Sequence, residues 1–540
     1  MTGLLSHRGP DDKSTFIDDH IALGHRRLSI IDLSPAGRQP MQSHDGPYWI
    51  TYNGEIYNFP ELKKELQSRG MKFRTATDTE VILKAYEAFG DDCVTHLNGM
   101  FAFAIWDAYN KKLLLARDRL GKKPLFYYHK DKTFIFASEM KAILTAPGVS
   151  KEIDYEALNL YLHYNYIPAP WTIFKHIRKV REASLLIFHD GAIEEKSYWE
   201  LPEPGDRVYK NENEAADELD ALLTEAVQCR MICDVPLGAF LSGGVDSSAI
   251  VAMMAKINKE PVKTFTIDFA EAAFSEREDA EIVANHCKTD HRVLRVKTDA
   301  IDLLPKLVWH FDEPFGDSSA IPTYYVSKMA REHVTVILSG DGGDELFAGY
   351  NSYLKKDEHE KFLHLPKRLR KAVFGKVANA LPIQAPMRNF LYYVAEANKG
   401  DGAEALGTYP YIKNDLISGD LREHLNGSNT FRLEEQVLSQ TGIQNKLSRL
   451  QYLDARLYLP GDILVKVDRM SMANSLETRA PLLDYRLVEF AFRLPLELRI
   501  NGTTTKYLLK KVLGRYIPQE IINKRKHGFA VPIKNWFQTT

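Results

Sequence analysis

Residues 241–248 read Leu-Ser-Gly-Gly-Val-Asp-Ser-Ser and lie between an apolar run and a stretch rich in Ala, Val and Met. A strand, a glycine turn and a helix in succession bring free backbone N–H groups and the positive end of the helix dipole to one point. Phosphate groups bind at such a point, and a pyrophosphate fits it. The feature therefore predicts an α/β domain with a nucleotide at the carboxyl edge of a parallel sheet.

The order of the apolar runs divides the chain in two. In its first part, short β-branched and aromatic runs alternate with turn residues, and helices are expected at 61–68 and 79–88. After a Pro- and Gly-rich stretch at 201–211, strands alternate with helices instead. We therefore expect a layered, β-rich domain at residues 1–200 and an α/β domain at residues 211–540. The expected strands of the second domain include 236–241, 262–269 and 334–338, and its expected helices include 248–255 and 277–287.

Composition narrows the range of partners. The chain has 540 residues, a formal net charge of −2 and 44% hydrophobic residues, so it should form globular domains without a basic surface for nucleic acid. No apolar run approaches the roughly 18 residues of a membrane span, and the first residues carry no apolar signal core. We therefore expect a cytoplasmic protein that binds small molecules and has no nucleic-acid or membrane partner.

The acidic residue of the first loop indicates a metal ion. Asp246 would repel phosphate unless Mg²⁺ lay between them, whereas the serines of the loop add hydroxyl donors. The loop lacks the Gly-Lys-Ser/Thr ending of the common nucleotide loop, which argues against transfer of the γ-phosphoryl group. A lone Gly-Gly pair is more often an ordinary capped turn, but this loop resembles that of the ATP pyrophosphatases. ATP and Mg²⁺ are therefore the expected cofactors, and adenylation is the expected chemistry.

A second acidic loop, residues 339–345, reads Ser-Gly-Asp-Gly-Gly-Asp-Glu and follows the apolar run 334–338. Because the carboxyl ends of parallel strands meet at one edge of a sheet, both loops are expected to face a single cleft. Three carboxylates among small residues suit a site that holds Mg²⁺ and approaches a substrate closely. An acidic surface turn with helix caps is the alternative.

Ten segments together resemble the glutamine-hydrolysing asparagine synthetase family, and they span nearly the whole chain. The resemblance implies an N-terminal-nucleophile glutaminase domain with layered α/β/β/α architecture, followed by an ATP-pyrophosphatase domain with a parallel α/β fold. It also implies amidation of a carboxylate through an acyl-adenylate, as from aspartate to asparagine, with nitrogen from glutamine or ammonia and release of AMP and pyrophosphate. The segments are residues 7–12, 24–30, 53–58, 77–80, 116–121, 242–248, 312–314, 339–345, 466–473 and 476–484.

The resemblance assigns roles around the nucleotide. Lys506 and Asp341 are the implied catalytic residues, with Lys506 steadying negative charge that develops on the phosphates. Asp246 and Asp341 are the implied metal-binding residues. Taken alone, Lys506 would be interpreted as a solvated helix residue. The implied ATP-binding residues are Leu241, Ser242, Gly243, Gly244, Asp246, Ser247, Ser248, Ile267, Ser339 and Gly340.

The resemblance also assigns a glutamine site in the first domain. Arg27 is implied for the α-carboxylate and Glu55 with Asp78 for the α-ammonium group, a pairing that charge complementarity supports. Asn53 and the Gly54 N–H are implied as the oxyanion hole, although Asn-Gly alone would be interpreted as a hairpin turn. The implied glutamine-binding residues are Arg27, Leu28, Ser29, Ile30, Ile31, Asn53, Gly54, Glu55 and Asp78.

The nucleophile of the family is a cysteine at residue one after removal of methionine. This chain begins Met-Thr-Gly, and its four cysteines, at positions 93, 229, 233 and 287, all follow Arg27. We therefore expect the chain as given not to hydrolyse glutamine, while its synthetase domain could use free ammonia. Either the given sequence lacks the opening segment of an ordinary amidotransferase, or the enzyme depends on ammonia by nature.

Other functions stay open at the level of sequence. Relatives with this architecture amidate carboxylates of cell-envelope sugars or peptides, and Gly342 with Gly343 would leave room for a larger acceptor than aspartate. Sulfur transfer to tRNA is disfavoured by the neutral charge and by the lack of a matched cysteine pair. A degenerate homologue that binds nucleotide without turnover is the non-enzymatic alternative. The resemblance also allows a homodimer.

Overall fold

The architecture is seen in a computed structural model that describes residues 1–44, 46–205, 207–269, 275–296, 302–354, 362, 364–382, 385–396, 416–425 and 432–524. The strands of these ranges are β1 (Asp12–Ile17), β2 (Ala22–Arg27), β3 (Met41–Gln42), β4 (Tyr48–Ile56), β5 (Gly99–Asp107), β6 (Lys112–Arg117), β7 (Phe126–Lys130), β8 (Thr133–Ala137), β9 (Ile177–Lys179), β10 (Ser184–His189), β11 (Ala192–Ser197), β12 (Leu237–Phe240), β13 (Lys263–Asp268), β14 (Asp290–Arg295), β15 (Val336–Leu338) and β16 (Glu477–Arg479).

The α-helices of the same ranges are short in the first domain and more numerous in the second. They are α1 (Phe59–Ser68), α2 (Asp78–Phe89), α3 (Met140–Ile143), α4 (Tyr155–Tyr164), α5 (Glu212–Arg230), α6 (Val245–Ile257), α7 (Arg277–Cys287), α8 (Leu304–Phe311), α9 (Ala320–Arg331), α10 (Gly343–Phe347), α11 (Lys367–Arg370), α12 (Lys376–Ala380), α13 (Pro386–Glu396), α14 (Gly419–His424), α15 (Arg432–Ser439), α16 (Lys446–Leu453), α17 (Leu464–Met472), α18 (Tyr485–Arg493), α19 (Leu496–Arg499), α20 (Tyr507–Leu513) and α21 (Gln519–Ile522). None of the helices described is long and apolar enough to cross a membrane.

A six-stranded antiparallel sheet, in the order β11-β10-β6-β5-β4-β3, forms the centre of the first domain. Successive side chains of a strand point to opposite faces, and β5 is apolar on both. Phe101 and Phe103 pack with the buried residues of α1 and α2 on one face. Ala102 and Ala104 face a separate apolar cluster on the other. The sheet is therefore covered on both sides.

The second covering layer is also made of strands. It contains the β1-β2 hairpin and the three-stranded sheet β8-β7-β9. On the outer side of that sheet, Met140 and Ile143 of α3 pack against Phe126 and Ile177. Helices, sheet, sheet and helix thus follow one another, and the expected α/β/β/α layering is confirmed.

The second domain is organised by a five-stranded sheet in the order β14-β13-β12-β15-β16, in which every pairing is parallel. β12, β15 and β16 lie side by side, so the segments that follow them emerge at one edge. The predicted parallel α/β fold is confirmed. The helix expected at 277–287 is found as α7, whereas the strand expected at 334–338 begins only at Val336.

Candidate active site

The first phosphate loop leaves β12 and enters α6. Gly243 has a φ of 72°, in the left-handed region that favours glycine, and a Cβ there would lie 2.4 Å from Asp279. Gly244 precedes the first residue of α6. The Ser247 hydroxyl accepts a hydrogen bond from the Ser242 N–H at 3.1 Å and lies 2.9 Å from the Ser242 hydroxyl. The loop is therefore preformed by its own serines at a helix N-terminus.

The second acidic loop packs directly on the first. A Cβ on Gly340 would lie 2.7 Å from the Ser247 nitrogen, and one on Gly343 would lie 2.3 Å from Asp246 Oδ1. The two loops therefore share one cleft, as expected. Gly342 gives no extra room, because a Cβ there would lie 2.2 Å from Leu483. The interpretation that Gly342 and Gly343 accommodate a larger acceptor is wrong, since Leu483 and Asp246 already fill that space.

Lys506 reaches between these loops from the start of α20. Its Nζ lies 2.5 Å from Asp246 Oδ2 and 2.6 Å from Asp344 Oδ1, and its side chain is only 6% exposed. Burial alone would lower the pKa of Lys506, but the two carboxylates outweigh it and raise the pKa. The solvated-residue interpretation is wrong. A fixed positive charge stands where the loops would present phosphates.

The remaining predicted nucleotide-binding residues differ in their burial and in their hydrogen bonds. Leu241 and Ile267 are almost fully buried in the two apolar clusters that flank β12 and β13. Ser248 is buried, and its hydroxyl has no hydrogen-bond partner among the described residues. The Ser339 N–H donates to the Arg479 carbonyl at 2.9 Å. The Ser339 hydroxyl donates to Asp341 Oδ2 at 2.6 Å.

The donor set fits a magnesium ion held jointly with a nucleotide. Asp246 and Asp344 converge on one ammonium group, so two hard oxygen ligands are close together. Mg²⁺ is usually bound by one or two carboxylates and completed by phosphate oxygens and water. Among the described residues, no group of three His, Cys, Asp or Glu side chains could hold a metal by itself. Asp344 is the second acid of this pair, and the metal role of Asp341 stays a prediction.

Asp341 belongs to a second set of charges, which we call the acidic pocket. We define the acidic pocket as Asp317, Asp341, Asp462 and Lys466. Lys466 Nζ lies 2.7 Å from Asp317 Oδ2, and its charge is also felt by Asp341. Asp462 is buried, and its Oδ1 has no hydrogen-bond partner among the described residues. Three carboxylates therefore share one lysine.

The charge balance of the acidic pocket shifts its pKa values. Burial and the neighbouring Asp317 raise the pKa of Asp462 to about 8. Burial also raises the pKa of Asp341. Burial would raise the pKa of Asp317 as well, but Lys466 outweighs it and lowers the pKa. Sequence reasoning missed Asp317 and Asp462, which lie a few residues outside the family-like segments; only their place after a motif or before Lys466 could have pointed to them.

The predicted glutamine residues line a cavity of about 760 Å³ beside β4 and β5. Asn53 and Gly54 lie within β4, so the hairpin-turn interpretation is wrong. The Asn53 Nδ2 is buried without a hydrogen-bond partner in the described part of the chain, as an oxyanion donor awaiting its acceptor would be. The cavity is lined by Arg27, Leu28, Ile30, Ile31, Asn53, Gly54, Glu55 and Asp78, whereas Ser29 borders a neighbouring groove.

Arg27 is held by backbone carbonyls. Its two terminal nitrogens donate to the carbonyl oxygens of Ile31, Asp32 and Ser34 at 3.2, 2.5 and 2.9 Å. The Ser29 N–H donates to Asp11 Oδ2 at 2.8 Å. The loop from Leu28 to Ile31 is thus wrapped around the guanidinium, which has only part of its donor fork left for a carboxylate.

Glu55 and Asp78 both line the cavity and interact with each other. Asp78 accepts hydrogen bonds from the Tyr52 hydroxyl at 2.8 Å and the Ile56 N–H at 3.0 Å. Burial raises its pKa to about 6. Burial and Asp78 also raise the pKa of Glu55, although Glu55 pairs with Arg479 of the second domain at 2.9 Å. Sequence reasoning missed this partner because Arg479 is separated from Glu55 by most of the chain.

The comparisons agree with this geometry in both halves. Residues 1–199 match the family model for a glutamine amidotransferase domain, and residues 218–540 match the model for asparagine synthase. Layered sheets followed by a parallel sheet, together with these two matches, define a ligase that combines a glutamine amidotransferase domain with an asparagine synthase domain. The chain belongs to the asparagine synthase family.

Individual relatives support the assignment along the whole chain. The chain is 38% identical over 551 residues to asparagine synthetase [glutamine-hydrolyzing] 1 of Bacillus subtilis, covering 100% of this chain and 84% of that protein. A putative asparagine synthetase of Methanocaldococcus jannaschii is 38% identical over 504 residues, covering 87% of this chain and 94% of that protein. A protein of Gibberella zeae named amidase chry2 is 26% identical over 578 residues, covering 99% and 84%. The family thus joins ligases with relatives named for other amide chemistry.

Proposed function

We propose that the chain activates the side-chain carboxylate of aspartate with ATP and converts it to an amide with ammonia. The acidic pocket carries this choice of acceptor. Asp317, Asp341 and Asp462 exceed the single cation Lys466, so an ammonium group would neutralise negative charge that is partly or fully buried. Lys466 can in turn pair with a carboxylate. An α-amino dicarboxylic acid supplies both groups and leaves its second carboxylate for the nucleotide.

In the proposed first step, a carboxylate oxygen of the acceptor attacks the α-phosphorus of ATP. The bond from that phosphorus to the bridging oxygen breaks, and pyrophosphate leaves. Negative charge grows on the leaving group, next to the fixed ammonium of Lys506. Asp246 and Asp344 would hold Mg²⁺, which neutralises phosphate charge when it is bound. Ser242, Ser247 and the N-terminus of α6 would bind the phosphates.

In the proposed second step, the nitrogen of ammonia attacks the acyl carbon, and the carbon–oxygen bond to AMP breaks. The nitrogen must then lose one proton. Asp341 is a buried carboxylate beside the cleft, and burial raises its pKa toward that of a useful base. We assign Asp341 to this proton transfer. Its hydrogen bond from Ser339 fixes the orientation of the carboxylate.

For the amino-terminal cavity we propose binding of glutamine. Arg27 would take the α-carboxylate, while Glu55 and Asp78 would take the α-ammonium group. The unpartnered Asn53 amide and the Gly54 N–H would form the oxyanion hole. None of the four cysteines, all within the described ranges, lines this cavity. Ammonium is therefore the nitrogen source with which the synthase domain is best tested.

The test uses purified chain with ATP, Mg²⁺, ammonium and one acceptor at a time, with AMP, pyrophosphate and amide followed by mass spectrometry. L-aspartate should give all three products. Succinate and N-acetylaspartate are matched acceptors, because each keeps two carboxylates and lacks the ammonium group. If they react as well as aspartate, the acidic pocket does not select the acceptor as proposed. If only a larger carboxylate gives product, the chemistry stands and aspartate is wrong.

A further inference from the structure

Seven buried charges form a cluster between the two domains, which we call the interdomain ion cluster. The first domain contributes Arg8, Lys123, Glu139 and Lys141, and the second contributes Asp312, Asp468 and Arg469. All lie far from the phosphate loops in sequence. A buried ion group of this size adds little stability by itself, because desolvation opposes the attraction. Stability alone therefore does not explain why these charges are buried together.

Glu139 is the centre of this cluster. Its carboxylate lies 3.0 Å from Arg8, 2.5 Å from Lys141 and 2.9 Å from Arg469, and it is 1% exposed. His7 approaches the same group at 3.2 Å. Burial would raise the pKa of Glu139, but the cations around it outweigh burial and hold the pKa well below its usual range. The carboxylate is therefore charged and fully committed to its partners.

Two second-domain members of the cluster, Arg469 and Asp312, lie close in sequence to the acidic pocket. Arg469 lies on α17 three residues after Lys466 and contacts both Glu139 and Asp312. Asp312 ends α8 with a φ of 68°, a left-handed conformation that non-glycine residues adopt only when their surroundings hold them. The Lys141 ammonium group helps to fix Asp312, because its Nζ lies 2.9 Å from Asp312 Oδ1. The chain then reaches Asp317 within five residues.

Glu139 thus fixes both halves of one ion pair without touching it. One half is Lys466 on α17, and the other is Asp317 on the loop after α8. We propose that Glu139 is a positioning residue, which sets the spacing of Lys466 and Asp317 and so the affinity for the acceptor. The inference rests on the proposed function of the acidic pocket. It goes beyond it by making a residue of the amidotransferase domain part of acceptor recognition.

The experiment compares Glu139→Gln with wild type in the full chain, with ammonium as the nitrogen source. We expect the KM for the acceptor to rise about tenfold or more, since small misplacements of binding groups have effects of that size. The KM for ATP should stay within about twofold, because the phosphate loops do not contact the cluster. Glu152→Gln is the matched control, since Glu152 makes an exposed pair with Lys175 in the same domain at 2.8 Å. It should behave as wild type.

A merely structural role predicts a lower melting temperature with both KM values unchanged, and that result would overturn the inference. Should Glu139→Gln not fold, Lys141→Gln replaces it, because this change leaves Arg8 and Arg469 on Glu139 while Asp312 keeps only its longer contact with Arg469, at 3.5 Å. The same KM criterion applies. If wild type activates no acceptor, the proposed function has failed. If wild type is active and both variants keep its acceptor KM, only the positioning role has failed.

Discussion

Lys506 holds its charge in place before any nucleotide arrives. Its backbone adopts a φ of 54°, a conformation that costs a non-glycine residue on the order of 1 kcal/mol, and its N–H donates to the Phe347 carbonyl at 3.1 Å. Asp246 and Asp344 complete the restraint. A cation fixed in this way need not reorganise as charge develops, which is the condition for strong electrostatic catalysis.

Lys506→Ala should lower the rate of adenylation by about 10² to 10³, or roughly 3 to 4 kcal/mol, because the leaving pyrophosphate loses a preorganised cation. Pyrophosphate release at saturating ATP and acceptor measures this rate. Lys511→Ala is the control, since Lys511 lies on the same helix and pairs with Glu212 at the surface. An unchanged rate in Lys506→Ala would remove Lys506 from the mechanism.

Asp462 should make acceptor binding depend on pH. With a pKa of about 8 it carries a proton in the free pocket at neutral pH, and an incoming ammonium group would expel that proton. Between pH 6 and 8 the acceptor affinity should therefore rise by up to about tenfold per pH unit. Calorimetry in two buffers of different ionisation enthalpy measures both the affinity and the proton release. Binding without proton release contradicts this prediction.

Asp462 should also make the folding stability depend on pH, but stability should fall with rising pH whereas acceptor affinity rises. The pKa of Asp462 is raised on folding, so its stabilising contribution is complete below the unfolded value of about 4 and is lost as pH rises through about 8. Asp462→Asn removes the buried charge. The variant should therefore melt at a higher temperature than wild type at pH 9, while binding the acceptor less tightly. A lower melting temperature at that pH would count against a buried, uncompensated carboxylate.

At the scale of elements, the cleft depends on how closely two loops approach. Gly343→Ala would place a methyl group 2.3 Å from the Asp246 carboxylate, so either α10 or Asp246 must move. We expect adenylation to fall by about 10² or more, because a displacement of 1 Å at reacting groups has that effect. Gly419→Ala is the control, since a Cβ there meets nothing within 4 Å. Equal activity of the two variants would show that the loops tolerate separation.

The elements that sequence could predict are those set by local pattern. Turn glycines and apolar runs located α7 and the strands before both phosphate loops, because periodicity and glycine conformation act over a few residues. The predicted strand began two residues too early, at Val334. Val334 is apolar and buried like a strand residue, but its N–H donates to the Ala330 carbonyl in the turn that ends α9. A π-helical segment, Asp454–Ile463, precedes α17 and contains Pro460. Its register depends on packing around it, which no local pattern carries.

At the scale of the whole molecule, buried ion pairs join the two domains. Arg8 of the first domain pairs with Asp468 of the second at 2.8 Å, and Asn98 of the first domain donates a hydrogen bond to Asp484 of the second at 3.0 Å. We therefore expect one calorimetric unfolding transition for the whole chain, shifted upward as a unit by ATP with Mg²⁺. Differential scanning calorimetry checks this. Two resolved transitions, with only the second responding to ATP, would show domains that unfold independently.

Residues of the candidate site could be predicted from the sequence only where they lie within a recognisable local motif. The phosphate loops and Lys506 were found from family-like segments, whereas Asp317, Asp344, Asp462 and Arg479 gained their roles through contacts between distant parts of the chain. Asp341 as a metal ligand, a domain boundary between residues 200 and 211, and a homodimer stay predictions. Ionic partners across a domain interface leave no periodic trace in sequence, because each partner is fixed by the fold of the other domain.

Arg479 contacts both candidate sites. Its guanidinium contacts Glu55 in the amino-terminal cavity at 2.9 Å, while its carbonyl accepts the N–H of Ser339 in the second acidic loop, also at 2.9 Å. A ligand that alters either contact therefore acts on a residue that belongs to the other site as well. Thermodynamic linkage makes any such effect symmetrical. If an occupied amino-terminal cavity changes the affinity for ATP, then ATP must change the affinity of that cavity by the same factor.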